Sequence, residues 1–249
     1  MSSRIRDPKQ IMEQMKKEFV TTEDKSQCLA TSIYETSKTH PFLGSVLQCL
    51  TIAYSHQLPT AGIMFNTDAK RWDMLINPYF FCKKLNAAER KAVLIHELSH
   101  ITHKHPLRVP FMKISARKRM LMNIGADMAI NQYIPNIPKG CAQCPPIEEQ
   151  KPCENEMCPG RCIDVKDYFD TDPKTGVKRP WPNAQTMEHY FERLTKRFED
   201  PDDDGKGNGE GNSGGGTETS DLPQTIDEHM WDGAGDEKEM LDATEELVK

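Results

Sequence analysis

Residues His96-Glu97-Leu98-Ser99-His100 place two imidazoles and a carboxylate at a spacing that suits one metal ion and one activated water. Two histidines four positions apart share a helix face, so their rings can converge on a single Zn²⁺. The glutamate between them then stands beside a metal-bound water and can accept its proton. At three or five positions apart the rings would diverge, and a carboxylate elsewhere would miss the water. The pattern also arises by chance, so its surroundings have to decide.

Those surroundings favour a helix. Asn86-Ala87-Ala88-Glu89 has the form of a capping box with Asn in place of Ser or Thr. Residues 87–105 have helical composition, and Pro106 is expected to end the helix. Leu94, Leu98 and Ile101 fall at i, i+4 and i+7 and form an apolar stripe, with His96 and His100 on a neighbouring face turned to a cleft.

A catalytic zinc site takes three protein ligands and leaves a fourth position to water. A third His ten residues after the first would complete an extended motif, but that position is Pro106. His103 lies about 10 Å along the helix axis from His96, too far to share the metal. His105 sits at the helix end, and both read as solvated residues or as partners of the ligands. Asp127 is the better candidate. It lies in Asn123-Ile124-Gly125-Ala126-Asp127-Met128-Ala129-Ile130-Asn131, where a carboxylate is costly to bury unless it is paired or metal-bound. The competing reading is a surface aspartate beside a solvated turn. Gly125, Ala126 and Ala129 are expected to let this helix approach the motif helix. Asn131, one turn after Asp127, shares its face and could orient a ligand. Tyr133, Tyr79 and His229 are the candidates for stabilising an oxyanion.

Five further cysteines cluster as Cys141-x2-Cys144-x8-Cys153-x4-Cys158-x3-Cys162. A C-x-x-C knuckle with two more thiolates suits a closed, structural zinc site, and so polar a loop has little core of its own to fold on. Five candidates for four positions leave the ligand set open. Free or redox-active thiols and disulfides are the other readings. Cys28, Cys49 and Cys82 are scattered through apolar segments, a usage that fits a reducing cytoplasm (a host's, if the chain is phage-encoded) better than a disulfide framework.

Residues 6–20 and 22–38 read as helices. Residues 44–55 read as a buried strand, with a helix as the alternative. Residues 61–65 and 72–76 read as a hairpin across Asn66-Thr67-Asp68-Ala69-Lys70, stopped by Asn77-Pro78. If strand 72–76 edges the cleft, it could hold a substrate by strand addition. A second long helix spans about 112–133, and residues 135–183 show little periodicity. Residues 184–198 form an amphipathic helix with Met187, Tyr190, Phe191 and Leu194 on its apolar side. Residues 200–223 have linker composition, and 235–248 could form a short helix.

The net charge of −6 hides a split. Residues 199–249 hold 3 Lys/Arg against 17 Asp/Glu, a net of −14, which leaves 29 against 21, or +8, on residues 1–198. Lys104, Arg108, Lys113, Arg117, Lys118 and Arg119 follow the motif helix. They read as a solvated face or, less favoured, a nucleic-acid surface, since no aromatics are interleaved for stacking. The acidic tail could dock on the basic part, with His229 and Trp231 as anchors. No run of 18 apolar residues and no apolar leader is seen, so neither a transmembrane helix nor a membrane partner is expected.

Together, Pro59-Thr60-Ala61-Gly62 leading into a strand, Asn77-Pro78 after one, the H-E-x-x-H pentad, and Ala126-Asp127 with Asn131 resemble the putative metallopeptidase domain family. That domain is often found before a von Willebrand factor A-like domain in bacterial and phage proteins. The resemblance covers about residues 20–134 and extends to Asp227-Glu228-His229-Met230-Trp231. It implies His96, His100 and Asp127 as zinc ligands and Glu97 as base. The cysteine-rich insertion departs from it, and the chain has no room for a complete von Willebrand module. The expected fold is α+β and zincin-like: a small sheet with a hairpin packed on a metal-binding helix pair, plus a Cys-rich zinc loop. The expected units are residues 1–134, the insertion and helix 135–198, the linker 199–223 and the tail 224–249. The expected activity is zinc-dependent peptide hydrolysis on a protein or peptide substrate. The alternative is a non-catalytic, metal-stabilised module that binds nucleic acid or a partner.

Two separate ligand sets predict about two zinc equivalents per chain. Elemental analysis of protein purified without added metal checks this. His96→Ala should remove one equivalent and Cys144→Ser the other, and a content near zero in the unmodified chain refutes both sites.

Overall fold

Asn77, fully buried, ties the sheet to the segment that launches the motif helix. Its Nδ2 donates to Leu58 O at 2.8 Å, and its Oδ1 accepts from Tyr79 N and Phe80 N at 3.0 and 3.1 Å. An Asn before Pro therefore stops a strand and starts a helical turn with one side chain. The computed structural model describes residues 20–108, 116–138, 163–198 and 237–248. Among them the chain is mixed α+β. Its elements are α1 (Thr22–Thr39), α2 (Pro41–Cys49), β1 (Thr51–Tyr54), β2 (Ala61–Asn66), β3 (Arg71–Ile76), a π-helical turn (Phe80–Lys84), α3 (Ala87–Thr102), α4 (His105–Arg108), α5 (Ala116–Asn131), a 3₁₀ turn (Val165–Asp167), β4 (Phe169–Thr171), β5 (Lys178–Pro180), α6 (Met187–Arg197) and α7 (Glu237–Leu247).

The expected hairpin is present, β2 pairing antiparallel with β3 from Ala61↔Ile76 to Asn66↔Arg71. Asn66 closes it, its Oδ1 accepting from Ala69 N at 3.0 Å and its Nδ2 donating to Asp73 Oδ2 at 2.8 Å. The sheet order is β1-β3-β2, with β1 parallel to β3. This corrects the idea that strand 72–76 edges a cleft. Both of its sides carry a neighbouring strand, so β3 has no backbone edge to offer a substrate.

Residues 44–55 also differ from the strand expected of them. Pro41, with its fixed φ and no N–H to satisfy, opens helix α2. Only the β-branched Thr51-Ile52 begin the strand. Gly44 lets α2 cross α1, since a Cβ there would lie 2.5 Å from Ser37 Cα. Nor does Pro106 end the motif helix. That helix stops at Thr102; Lys104 takes a positive φ of 57°, and Pro106 sits in the following short helix.

The sheet, α2, α3, α5 and α7 share one core, with Ile63, Met74, Leu94, Leu98, Met122, Ala126 and Met240 in it. A second core joins Leu121, Ile124 and Met128 of α5 to Tyr190 and Leu194 of α6, and to Ile163, Val165, Tyr168 and Trp181. That last group carries the β4–β5 hairpin, in a stretch where no periodicity is legible because strands of three residues are too short to alternate. Gly125 does not face the motif helix as expected. It faces α6, where a Cβ would meet Met187 O at 2.9 Å and Phe191 N at 3.0 Å. Ala126 is the residue that joins the core of α3.

The acidic helix α7 packs against β3 within this first core. Met240 is fully buried, Trp72 Nε1 donates to Thr244 Oγ1 at 3.0 Å, and Lys70 pairs with Glu239 at 2.7 Å. His229 and Trp231, expected to anchor the tail, lie outside the described residues, as do residues 6–19 and the linker 200–223. Among the described residues no helix is long and apolar enough to cross a membrane.

Gly125→Ala tests the close approach of α5 and α6. Helix propensity favours Ala by about 1 kcal/mol, whereas overpacking costs about 1–3 kcal/mol. Because the atoms in the way are backbone, the cost should win and the denaturation midpoint should fall, further still for Gly125→Val. A midpoint at or above the unmodified one would show that α6 can retreat freely.

Candidate metal centre

The motif helix starts where the sequence places it. Asn86 Oδ1 accepts from Ala88 N and Glu89 N at 2.9 and 3.0 Å, and Glu89 Oε2 accepts from Asn86 N at 2.9 Å, a complete capping box. From Ala92 to Ile101 every residue of α3 is buried. Leu94, Leu98 and Ile101 fill the sheet side, while Ala92 and Ile95 pack with Ile134. His96, Glu97 and His100 are likewise at most 2% exposed.

α5 crosses α3 and brings Asp127, 1% exposed, against the two imidazoles. His96 Nε2 and His100 Nε2 are 3.0 Å apart, and Asp127 Oδ1 lies 3.7 Å from the first and 3.4 Å from the second. Four tetrahedral ligands at about 2.0–2.1 Å from a zinc ion would stand about 3.3 Å from one another. The three observed edges bracket that value. These residues could therefore hold one metal ion, each offering a single ligand atom.

The hydrogen bonds behind the rings favour the same use. Asn131 Nδ2 donates to Ile163 O at 2.8 Å, which commits its Oδ1 to the acceptor role. That oxygen lies 2.7 Å from His96 Nδ1, so His96 carries its proton on Nδ1 and turns a lone pair inward from Nε2. A lone pair aimed at a second imidazole nitrogen 3.0 Å away, between side chains this buried, calls for a proton or a cation between them. A divalent cation fits that donor set.

Among the other expected residues, Asn131 lies behind the His96 ring. His103 bonds its own helix, Nδ1 lying 2.8 Å from Ser99 O. His105 is 2% exposed with its Nδ1 3.1 Å from His100 Nδ1, a proximity that a straight helix does not foretell. Tyr133 is 64% exposed on the turn after α5 rather than within the buried group, and Tyr79 sits over the β3–α3 connection beneath Lys84. Cys141, Cys144, Cys153, Cys158, Cys162 and His229 lie outside the described residues. Within the basic stretch, Arg108 pairs with Glu188 at 2.8 Å and Arg117 Nη2 donates to Phe198 O at 2.9 Å, so these two guanidiniums serve the fold. Cys28, Cys49 and Cys82 are free thiols. Burial, together with a hydrogen bond that the Cys82 thiol donates to Cys28, pushes the Cys82 thiol up to about 12, which disfavours its thiolate and hence a nucleophilic role.

A family model described as a putative metallopeptidase domain matches residues 24–246, from α1 through α7. No curated protein and no solved structure matches the chain.

Replacing Asn131 by Leu removes the acceptor behind His96 at similar volume. Metal affinity should fall about 10–100-fold, measured by competition with a chromophoric chelator. An unchanged affinity would show that His96 needs no such partner.

Proposed function

The chain belongs to the family described as a putative metallopeptidase domain, and from that premise we propose that it hydrolyses peptide bonds at one zinc ion held by His96, His100 and Asp127. One observation carries the proposal: three buried ligand atoms from two helices converge with tetrahedral edge lengths. Two imidazoles and one carboxylate are a donor set suited to zinc, and three protein ligands leave a position for water. When bound, the ion would supply the Lewis acidity that acidifies a water and polarises a substrate carbonyl.

The chain's own residues do the rest. Glu97, inside the motif and 1% exposed, accepts the water proton on its carboxylate and can return it to the leaving amine. Asn131 holds the His96 ring in one tautomer. The water-poor surroundings strengthen each of these electrostatic contacts. In this reading the fold is zincin-like, and a substrate pairs with β2 rather than β3, because β2 is an edge of its sheet and packs against α3. The cysteine cluster holds a second, closed zinc site that supports folding, taking four of Cys141, Cys144, Cys153, Cys158 and Cys162.

Glu97→Gln separates chemistry from metal binding. The variant should keep its metal content and lose at least about 10²-fold in peptide cleavage. The assay incubates the zinc-loaded full chain with a mixture of unfolded polypeptides and reads new termini by mass spectrometry. Zinc-loaded protein that yields no new termini would favour the non-catalytic, metal-stabilised module instead.

A further inference from the structure

His105 is a buried imidazole that neither the metal group nor the proposed chemistry uses directly. On an uninterrupted helix it would stand about 140° around the axis from His100, facing away from it. The chain does not continue that way. His103 N bonds Ser99 O and Lys104 N bonds Ile101 O, both at 2.9 Å, and Lys104 takes its positive φ. For a residue with a Cβ, that conformation is strained. The turn restarts the helix at His105 and folds its ring back beneath α3. There it meets His100 edge-on, with centroids 5.1 Å apart and planes at 70°, and with Nδ1 3.1 Å from Nδ1.

His100 turns Nε2 toward His96 and Asp127, so the two nitrogens of its ring face opposite demands. A nitrogen that ligates a metal presents a lone pair, which leaves the ring proton on Nδ1. That N–H needs an acceptor, and His105 Nδ1 stands where the acceptor has to be. We infer that His105 is a positioning residue for the metal centre, accepting the Nδ1 proton of His100 and holding that ring as a ligand in the one tautomer that can bind. The inference rests on the proposed use of His96, His100 and Asp127 as ligands. It assigns His105 the tautomer with its own proton on Nε2. It also makes both imidazole ligands lean on uncharged acceptors, an amide oxygen behind His96 and an imidazole behind His100. Asp127 is then the one anion among the three ligands, and more of the cation's charge is left to act on water.

The test measures zinc affinity of the full chain by chelator competition. His105→Leu removes the acceptor and should weaken zinc binding about 10–100-fold. His105→Gln restores an acceptor oxygen and should recover most of that loss. The metal-free forms of the two variants should melt at similar temperatures, which separates acceptor loss from lost packing. Unchanged affinity in His105→Leu, or equal losses in both variants, overturns the inference. Long-range ¹H–¹⁵N correlation on the zinc-loaded, unmodified chain needs no variant. It should find His100 protonated at Nδ1 and His105 at Nε2, and a His105 proton on Nδ1 overturns the assignment. If the unmodified chain takes up no zinc, the hydrolytic reading falls together with this one. If it takes up zinc and His105→Leu binds equally well, only the role of His105 is lost.

Discussion

Two imidazoles and a carboxylate are buried together, none of their side chains more than 3% exposed, and each of their polar atoms needs a partner there. Leaving such a group unpaired costs about 1–3 kcal/mol, and more for a charged one. Much of the architecture answers that demand. α5 has to cross α3 where Asp127 reaches both rings. The chain after Asn131 has to bring Ile163 O to the Asn131 amide, which orders that amide for His96. α6 has to hold α5 from behind, close enough that a Cβ at position 125 would meet the α6 backbone. The site is thus bound to the second core as firmly as to the first.

The sheet serves the site indirectly. β3 lies between β1 and β2, and Asn77 at its end converts strand into helical turn. The π-helical turn then delivers the chain to Asn86, whose capping box fixes where α3 begins and hence which way His96 and His100 point. An ion pair between Lys83 and Asp24 at 2.9 Å links this approach to α1. It is solvent-exposed and screened, so the buried hydrogen bonds of Asn77 are the stronger fastening.

What could be read from the sequence was whatever local chemistry controls. The pentad, the capping box, the β2–β3 turn and the apolar face of α6 each follow from neighbours within a few positions. Asp127 was legible because a lone carboxylate among small residues has few ways to be buried. Other features depend on distant contacts. Whether residues 44–55 are strand or helix turns on Pro41 and on α1 packing at Gly44. The partner of Gly125 is a helix some sixty positions away. His105 looked like a residue at a helix end because periodicity cannot foresee a left-handed Lys104. Strand 72–76 looked like an edge because nothing local announces that β1 will pair in parallel on its other side.

Trp72 donates to Thr244 across 172 positions of chain. A core that keeps one wall in a helix so far down the chain cannot be finished until that helix has been synthesised. Until α7 arrives, Trp72 lacks the cover that Met240 and Thr244 give it, and such apolar surface is what chaperones and aggregation both recognise. The loop to be closed is long, but its entropic penalty grows only with the logarithm of length. The late step is therefore one of timing more than of free energy. A ribosome that releases this chain early would leave a protein with both histidines and Asp127 in hand and its hydrophobic wall missing.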